Sequence, residues 1–522
     1  MSKSSNPSIS RRSLLQSAGL GLAAVAVTGV AAGCSSSSPG SGSTSGKPVR
    51  GGTLRAGLTG GSTSDTLDAA QALNNVDFAR SAALYEPLIG MNNDAHGVNV
   101  LAESIEPSSD ATSWTIRLKP GITFHNGKPV TADDVLFTLR RVIDNGYAGS
   151  AALVPVDIEN ARKLDPRTLK LPCHRPYSVL DEAMYANSFY LGIVPTDYDP
   201  MKPVGTGAFT YKSFTPGQES VFAPYSDYWG DAAYVDSLVI SNYDDETAQL
   251  NALQSGQIDL INQLSSTSIE VAKASGQVLV SQGGGSTPFV MRCDKPPFND
   301  VRVRQALRLV IDRPALNDVV FNGEATIGND VFSPWDPNYD SSIPQREQDI
   351  DQAKSLLASA GQSDLTVTLV VADISYGAVQ AAQVFADQAK AAGITVEIQK
   401  VTVAEFFGSN FLSWDFSVDA WYYAPYLSMA GYTTTPNAPY PETHFSNEKY
   451  NSLYEQAIST VDADARRELS HEMQQIDYDE GGYIIPQFSA SIDAASKKVH
   501  GMATAKTGLS FGNFDFKSMW IS

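Results

Sequence analysis

The sequence predicts an α/β fold with a partly parallel sheet, and three observations predict it. Strand-type and helix-type runs alternate along the 522 residues, without a short-period repeat. One unit is complete in itself. Residues 365–371 read Leu-Thr-Val-Thr-Leu-Val-Val, a β-branched buried strand; residues 377–392 form an Ala- and Gln-rich helix stopped by Gly393; residues 394–401 are the next strand. Strand, crossover helix and strand make a parallel pair with a helix across one face. Finally, 42% apolar and 18% charged residues exclude a disordered chain, and the length suits roughly two to four domains at about 100 to 200 residues each.

Taken from the N-terminus, the first element is an address. Arg11 and Arg12 precede an uncharged stretch, residues 13–33, that ends in Ala31, Ala32 and Gly33 before Cys34; basic start, apolar middle and small residues compose an export signal. Ser10-Arg-Arg-Ser-Leu-Leu15 resembles a twin-arginine signal, and Ala31-Ala-Gly-Cys34 resembles a lipoprotein lipobox, with Ala31 where Leu is usual. The alternative is an uncleaved anchor helix. Residues 35–46 are all Ser, Gly, Pro or Thr, a flexible tether with a reach of roughly 20 Å. The expectation is therefore a signal peptide over 1–33, then lipidated Cys34 and its tether over 34–50. Removing the signal takes away Lys3, Arg11 and Arg12 and no acid, leaving a body three charges more negative than the −20 of the whole chain. Such a balance speaks against nucleic acid, which is held by clustered Lys and Arg.

Next, Trp114-Thr-Ile-Arg-Leu118 alternates as a strand, and Thr131-Ala-Asp-Asp134 opens a helix with a side-chain cap and two carboxylates at its positive end. Val135, Leu136, Leu139 and Val142 are its buried stripe. Later, Tyr450, Leu453, Tyr454, Ala457 and Ile458 keep helical spacing, as do Leu469, Met473 and Ile476 in the following helix; these stripes read as core. With Cys34 lipidated, Cys173 and Cys293 remain, and two buried free thiols are expected rather than a disulfide.

The chemistry-bearing motifs are missing from the sequence. It has no P-loop, no G-x-S-x-G elbow and no second His after His471-Glu472, and its six His are scattered, so neither a catalytic site, nor a metal site, nor a cofactor is indicated. Asp336, Asn338, Asp340 and Glu347 fall at positions 1, 3, 5 and 12 of a calcium-type loop, but Ser341 replaces its turn glycine, and the expectation is an ordinary polar loop. The second long uncharged stretch, residues 420–441, cannot span a membrane as a helix. Four prolines break it, and Trp421, Tyr422, Tyr423, Tyr426, Tyr432 and Tyr440 crowd it. Such rings either pack between helices or line a ligand site, and at least two are expected to touch ligand.

Four segments then resemble one family: Tyr85-Glu-Pro-Leu-Ile89; the run from Trp114 through Lys119-Pro-Gly-Ile-Thr-Phe-His-Asn-Gly-Lys-Pro-Val-Thr-Ala-Asp-Asp to Val135; Pro203-Val-Gly-Thr-Gly-Ala-Phe209; and Pro297-Phe-Asn-Asp-Val-Arg-Val-Arg-Gln-Ala-Leu307. In this order they are similar to the solute-binding proteins of bacterial ABC importers, the large dipeptide- and oligopeptide-binding family 5, across nearly all of residues 50–500. The resemblance implies an α/β, two-lobed periplasmic-binding-protein-like (Venus-flytrap) fold with an extra inserted domain. Lobe one would combine 51–85, 203–288 and 489–522, the inserted domain would be 86–202, and lobe two 289–488. It also implies a monomer, without enzyme activity, outside the cytoplasmic membrane and held there by the lipid on Cys34. That monomer would bind a small-molecule or peptide solute between its lobes and pass it to ABC permease and ATPase subunits on other chains.

In peptide-binding relatives an Asp in a W-x-x-D stretch pairs with the peptide amine. Here the run is Trp421-Tyr-Tyr-Ala424, which weakens the case for free-amine peptides and leaves a non-peptide solute (opine, sugar or metal chelate) as the alternative. Asp419 could substitute, because residues 419, 421 and 423 of an extended chain point the same way. The expected ligand contacts are Trp421, Tyr422, Tyr423, Tyr426 and Asp419 from lobe two, and Thr66, Leu67 and Gly205-Thr206-Gly207 from lobe one. A surface-anchored hydrolase, or an adhesion or signalling protein that kept the fold, would be the competing functions.

Overall fold

The computed structural model describes residues 47–522, so the signal, Cys34 and the tether up to residue 46 lie outside the described residues. Two main sheets organise the body. In the first, the neighbours run Gly276–Ser286, Gln487–Ser496, Leu260–Ile261, Thr53–Thr59, Ser237–Tyr243, Glu219–Pro224 and Phe209–Thr215. Thr53–Thr59 is parallel to both of its neighbours, while the outer strands are antiparallel. Period-2 alternation sets its core face: Leu54, Ala56 and Leu58 are fully buried.

The second sheet runs Thr395–Lys400, Thr366–Val371, Phe416–Val418, Phe289–Met291 and Tyr483–Ile484. Its first pair is the predicted unit. Thr366–Val371 lies parallel to Thr395–Lys400, with the helix Ala378–Ala389 between them. The helix is shorter than expected: Gly377 caps it at φ +81°, Lys390–Ala392 tightens into a 3-10 turn, and Gly393 leaves at φ +82°. Both glycines occupy the left-handed region that side chains avoid.

A third, antiparallel sheet (Ala102–Pro107, Ser113–Leu118, Thr168–Pro172, Arg162–Asp165) carries the helix Ala132–Asp144, whose Thr131 and Asp134 form the anticipated capping box. Val135, Leu139 and Val142 are buried and Leu136 half-buried. This core, around Trp114 and Phe124, also takes in Tyr450, Leu453, Tyr454 and Met473 from the helices Glu448–Ser459 and Ala463–Glu480. Those helices thus share a core with the third sheet, while the end of Ala463–Glu480 also packs on the helix Val301–Leu309 of the second sheet's core.

Two of the chain's passages between the two main sheets are proline-containing steps; another is Thr326–Ile327, which leaves the second sheet to pair with Gln487–Ser496. Thr287-Pro288 joins Gly276–Ser286 to Phe289–Met291, and Ile485-Pro486 joins Tyr483–Ile484 to Gln487–Ser496. Asp330 fixes the second step. Its carboxylate accepts the Ile485 N–H at 2.9 Å and the guanidiniums of Arg313 and Arg346 at 2.8 Å each. Although burial opposes its charge, these cations hold the carboxyl below its ordinary range. Cys173 and Cys293 are free thiols; both are half-buried rather than fully buried, and burial pushes Cys173 up to about 11 and raises Cys293.

Candidate functional site

A cavity of about 490 Å³ lies where the two main sheets meet at the crossings. Two parallel strands of the second sheet end at it. After Thr366–Val371 come Asp373, Ile374, Ser375 and Tyr376, and after Phe416–Val418 come Ala420, Trp421 and Tyr422. Loops beyond the carboxyl ends of parallel strands are where α/β sheets place ligands. The first sheet supplies the opposite wall, chiefly Gln263, Leu264 and Ser266 after Leu260–Ile261 and the stretch 489–492 of the long C-terminal strand. One hydroxyl pair reaches across, Ser266 Oγ to Tyr376 Oη at 3.0 Å, while a second, Thr287 Oγ1 to Ser375 Oγ at 3.0 Å, ties the first crossing to the 373–376 loop.

Trp421 is built into this wall by its backbone. Its N–H donates to the Ser286 carbonyl and its carbonyl accepts the Ser286 N–H, both at 2.8 Å, so the ring position follows the first crossing. The indole meets Tyr440 edge-on, with centroids 5.6 Å apart, and its Nε1–H points at Glu442 at 3.4 Å. Tyr422 stands 72% exposed at the cavity.

The other predicted contacts are placed elsewhere. Asp419 is buried, accepts the Ala420 N–H at 2.7 Å and faces Glu442. Burial raises both carboxyls, Glu442 the further because the Asp419 carboxyl is beside it. The alternation expected to carry Asp419 to the side of Trp421 fails because the strand ends at Val418. Tyr423 is buried against Gly284, where an added Cβ would lie 2.3 Å from its ring. Tyr426 opens the helix Tyr426–Thr433 after Pro425 and is 1% exposed; its hydroxyl donates to Asp477 at 2.6 Å, and its N–H donates to Asp336 at 2.6 Å. Tyr423 and Tyr426 thus belong to the core, and Trp421 and Tyr422 are the two rings of the run that line the cavity.

The first-lobe residues are also off the cavity. Thr66 Oγ1 accepts the Asp68 N–H, and the Leu67 carbonyl accepts the Tyr85 hydroxyl at 2.7 Å. The Gly205-Thr206-Gly207 turn packs on the end of the helix Asn75–Leu84: an added Cβ would fall 2.0 Å from the Leu84 carbonyl at Gly205 and 2.4 Å from that of Ala83 at Gly207. These glycines serve a close backbone approach. In the calcium-like loop Asp336 is spent on the N–H groups of Asn338 and Tyr426, and Asp340 on Ser342. Among the described residues no group of three or more His, Cys, Asp or Glu is placed to hold a metal ion.

Sequence reasoning missed Glu324, the 373–376 loop and the 489–492 wall. The loop had a usable signal, since it follows the first strand of the expected parallel pair. The wall had none.

Residues 97–451 match the profile of the bacterial extracellular solute-binding proteins, family 5 (middle). The heme-binding protein A of Haemophilus influenzae is 26% identical over 490 residues, covering 82% of this chain and 86% of its own. A glutathione-binding protein of Shigella flexneri is 25% identical over 484 residues, covering 88% and 93%. The crystal structure of the ABC transporter substrate-binding protein CtaP from Listeria monocytogenes superposes with a TM-score of 0.79 at 21% identity, covering 90% of this chain and 99% of that one.

Proposed function

For a chain that belongs to the family 5 bacterial extracellular solute-binding proteins, we propose that the 490 Å³ cavity is the solute site and that its two walls close on the occupant. The fold is the two-lobed periplasmic-binding-protein type, and members of the family bind solutes outside the cytoplasm rather than transform them. No helix among the described residues is long and apolar enough to cross a membrane. In the reading adopted here, lobe one is 51–85, 203–288 and 489–522, the inserted domain 86–202 and lobe two 289–488. The protein is exported as a lipoprotein on Cys34. As a monomer it captures a peptide-like or other polar organic solute and hands it to a permease and its ATPase on other chains.

The observation that carries this reading is that the cavity draws walls from both main sheets, with the two crossings beside it. A solute touching both walls binds the closed arrangement better than the open one and shifts the population toward it. The non-peptide alternative is favoured by Ala424, which is buried and offers no acid to a peptide amine.

The test is calorimetry and thermal shift of the full chain with mixed peptides, sugars, opines and metal chelates, joined to mass spectrometry of solute retained through gentle purification. A co-purified small molecule, or stabilisation that grows with concentration, is the expected result. No retained solute and no stabilisation by any pool would overturn it.

A further inference from the structure

The charge of the cavity narrows what it can hold. Glu324 and Asp373 line it, and among the described residues that line it there is no Lys, Arg or His. The nearest cation along the chain is Lys506, beside the lining residue Thr507. Its ammonium is engaged elsewhere, 3.3 Å from Asp94 and 5.1 Å from the Trp335 ring centre. A carboxylate entering this cleft would lose water, meet two like charges and find no counter-ion, which is costly.

A second observation points to a polar occupant. The hydroxyls of Ser286 and Ser491 are buried at the cavity and have no hydrogen-bond partner in the protein. Buried hydroxyls are ordinarily satisfied, so these two mark a wall whose polar groups gain partners when it adjusts around an occupant. The rings of Trp421, Tyr422 and Tyr376 add π-faces, which attract ammonium and guanidinium groups. The net charge of −20 also favours the approach of cations over that of anions.

We infer that the solute is an organic cation, an amine, guanidinium or quaternary ammonium on a hydroxyl- or amide-bearing body, without a free carboxylate. The inference rests on the cavity being the solute site, and the experiment separates the two claims. Matched pairs differing in a carboxylate are titrated calorimetrically into the full chain: agmatine and arginine, choline and glycine betaine, and Lys-Ser-Tyr as its C-terminal amide and as its free acid. The amine, choline or amide member should bind, with its carboxylate partner roughly tenfold or more weaker. Glu324→Gln and Asp373→Asn should each lower affinity for the amide by roughly three- to tenfold, while Glu397→Gln, on the exposed strand Thr395–Lys400 away from the cavity, should leave it unchanged.

Carboxylate members that bind as tightly as their partners, or Gln and Asn variants that bind the amide normally, would overturn the inference. An acidic or neutral solute that binds in the cavity, shown by loss on Trp421→Ala, while no cationic probe does, would also overturn it and leave the solute-site reading standing. Binding of no solute of any charge would overturn both.

Discussion

Replacing Trp421 by Ala separates the two roles that the aromatic run could play. The backbone at this position is held by two 2.8 Å hydrogen bonds to Ser286, which alanine retains, so the crossing is preserved. What the fold loses is the long Nε1–H contact to Glu442 at 3.4 Å and the edge contact with Tyr440 at 5.6 Å. Together these are worth about 1 to 2 kcal/mol. What a bound solute loses is a π-face and a wall of the cavity, which for a central Trp is worth about 2 to 3 kcal/mol. The dissociation constant should therefore rise roughly 30- to 150-fold at 25 °C, with only a modest fall in stability. Trp421→Phe, which keeps a ring, should fall between. Calorimetric titration with the retained solute, or with the tightest probe of the screen, measures the first quantity, and urea unfolding of the empty protein the second. Affinity within about threefold of the parent would refute the reasoning and make the indole a packing residue. A variant that fails to fold would refute the claim that the backbone bridge holds the crossing.

Asp330→Ala should cost about 3 to 5 kcal/mol, since it strands buried Arg313 and Arg308 and removes the acceptor of the Ile485 N–H; an unchanged urea midpoint would contradict it. Stability should decline as pH rises from about 4 to 7. Burial lifts Asp477 to about 7 and Asp493 to about 6, so the unfolded chain releases protons there that the folded one keeps, and what they contribute below pH 4 is lost as pH passes their folded values. Asp477→Asn should flatten that limb of a stability-against-pH curve. Asp65 and Asp330 have the opposite sign: hydrogen bonds and cations hold them low, so stability falls again below about pH 4. With Cys173 pushed up to about 11 and Cys293 raised by burial, iodoacetamide at pH 8 should label both far more slowly in the native protein than in urea; equal rates would contradict the burial of either thiol.

What could be read from the sequence follows from how local the determining physics is. The unit from Thr366 to Lys400 was legible because β-branched alternation, an Ala-rich helix and a stopping glycine act within a few residues of one another. The stripes of Glu448–Ser459 and Ala463–Glu480 were legible as buried faces, but periodicity cannot say what buries them, and they join the core that also holds the third sheet. The aromatic run shows the limit most clearly. Two of its rings, Trp421 and Tyr422, line the cavity, whereas Tyr426 is held off it by Asp477, 51 residues away, and Tyr423 by the approach of Gly284. Hydroxyl partners at such separations leave no trace in spacing. The Gly205-Thr206-Gly207 turn misled for a related reason: glycine there answers a carbonyl 2.0 Å from a would-be Cβ, and glycine for a backbone contact looks the same in sequence as glycine for a ligand.

The strengths of these contacts suit the proposed closure on a solute. At the pivot, Asp330 ties the Ile485 step to buried guanidiniums, an arrangement whose disruption costs several kcal/mol, and Trp421 is laced to Ser286 by two backbone bonds. Across the cavity, by contrast, the direct link between the walls is the Ser266–Tyr376 hydroxyl pair, with Tyr376 itself 44% exposed. Water competes for such a pair, and its net worth is about 0.5 to 1.5 kcal/mol, a bias of roughly two- to tenfold. On the proposed closure, a contact that small would let the empty lobes sample both arrangements, whereas one as strong as the pivot would hold the cleft shut against its own solute. The remaining preference for closure must come from the occupant, through the carboxylates and rings that only a molecule filling the space can reach. Under the proposed solute capture, a rigid pivot beside a weak cross-link makes closure depend on what is bound, so that the loaded and the empty protein differ in shape.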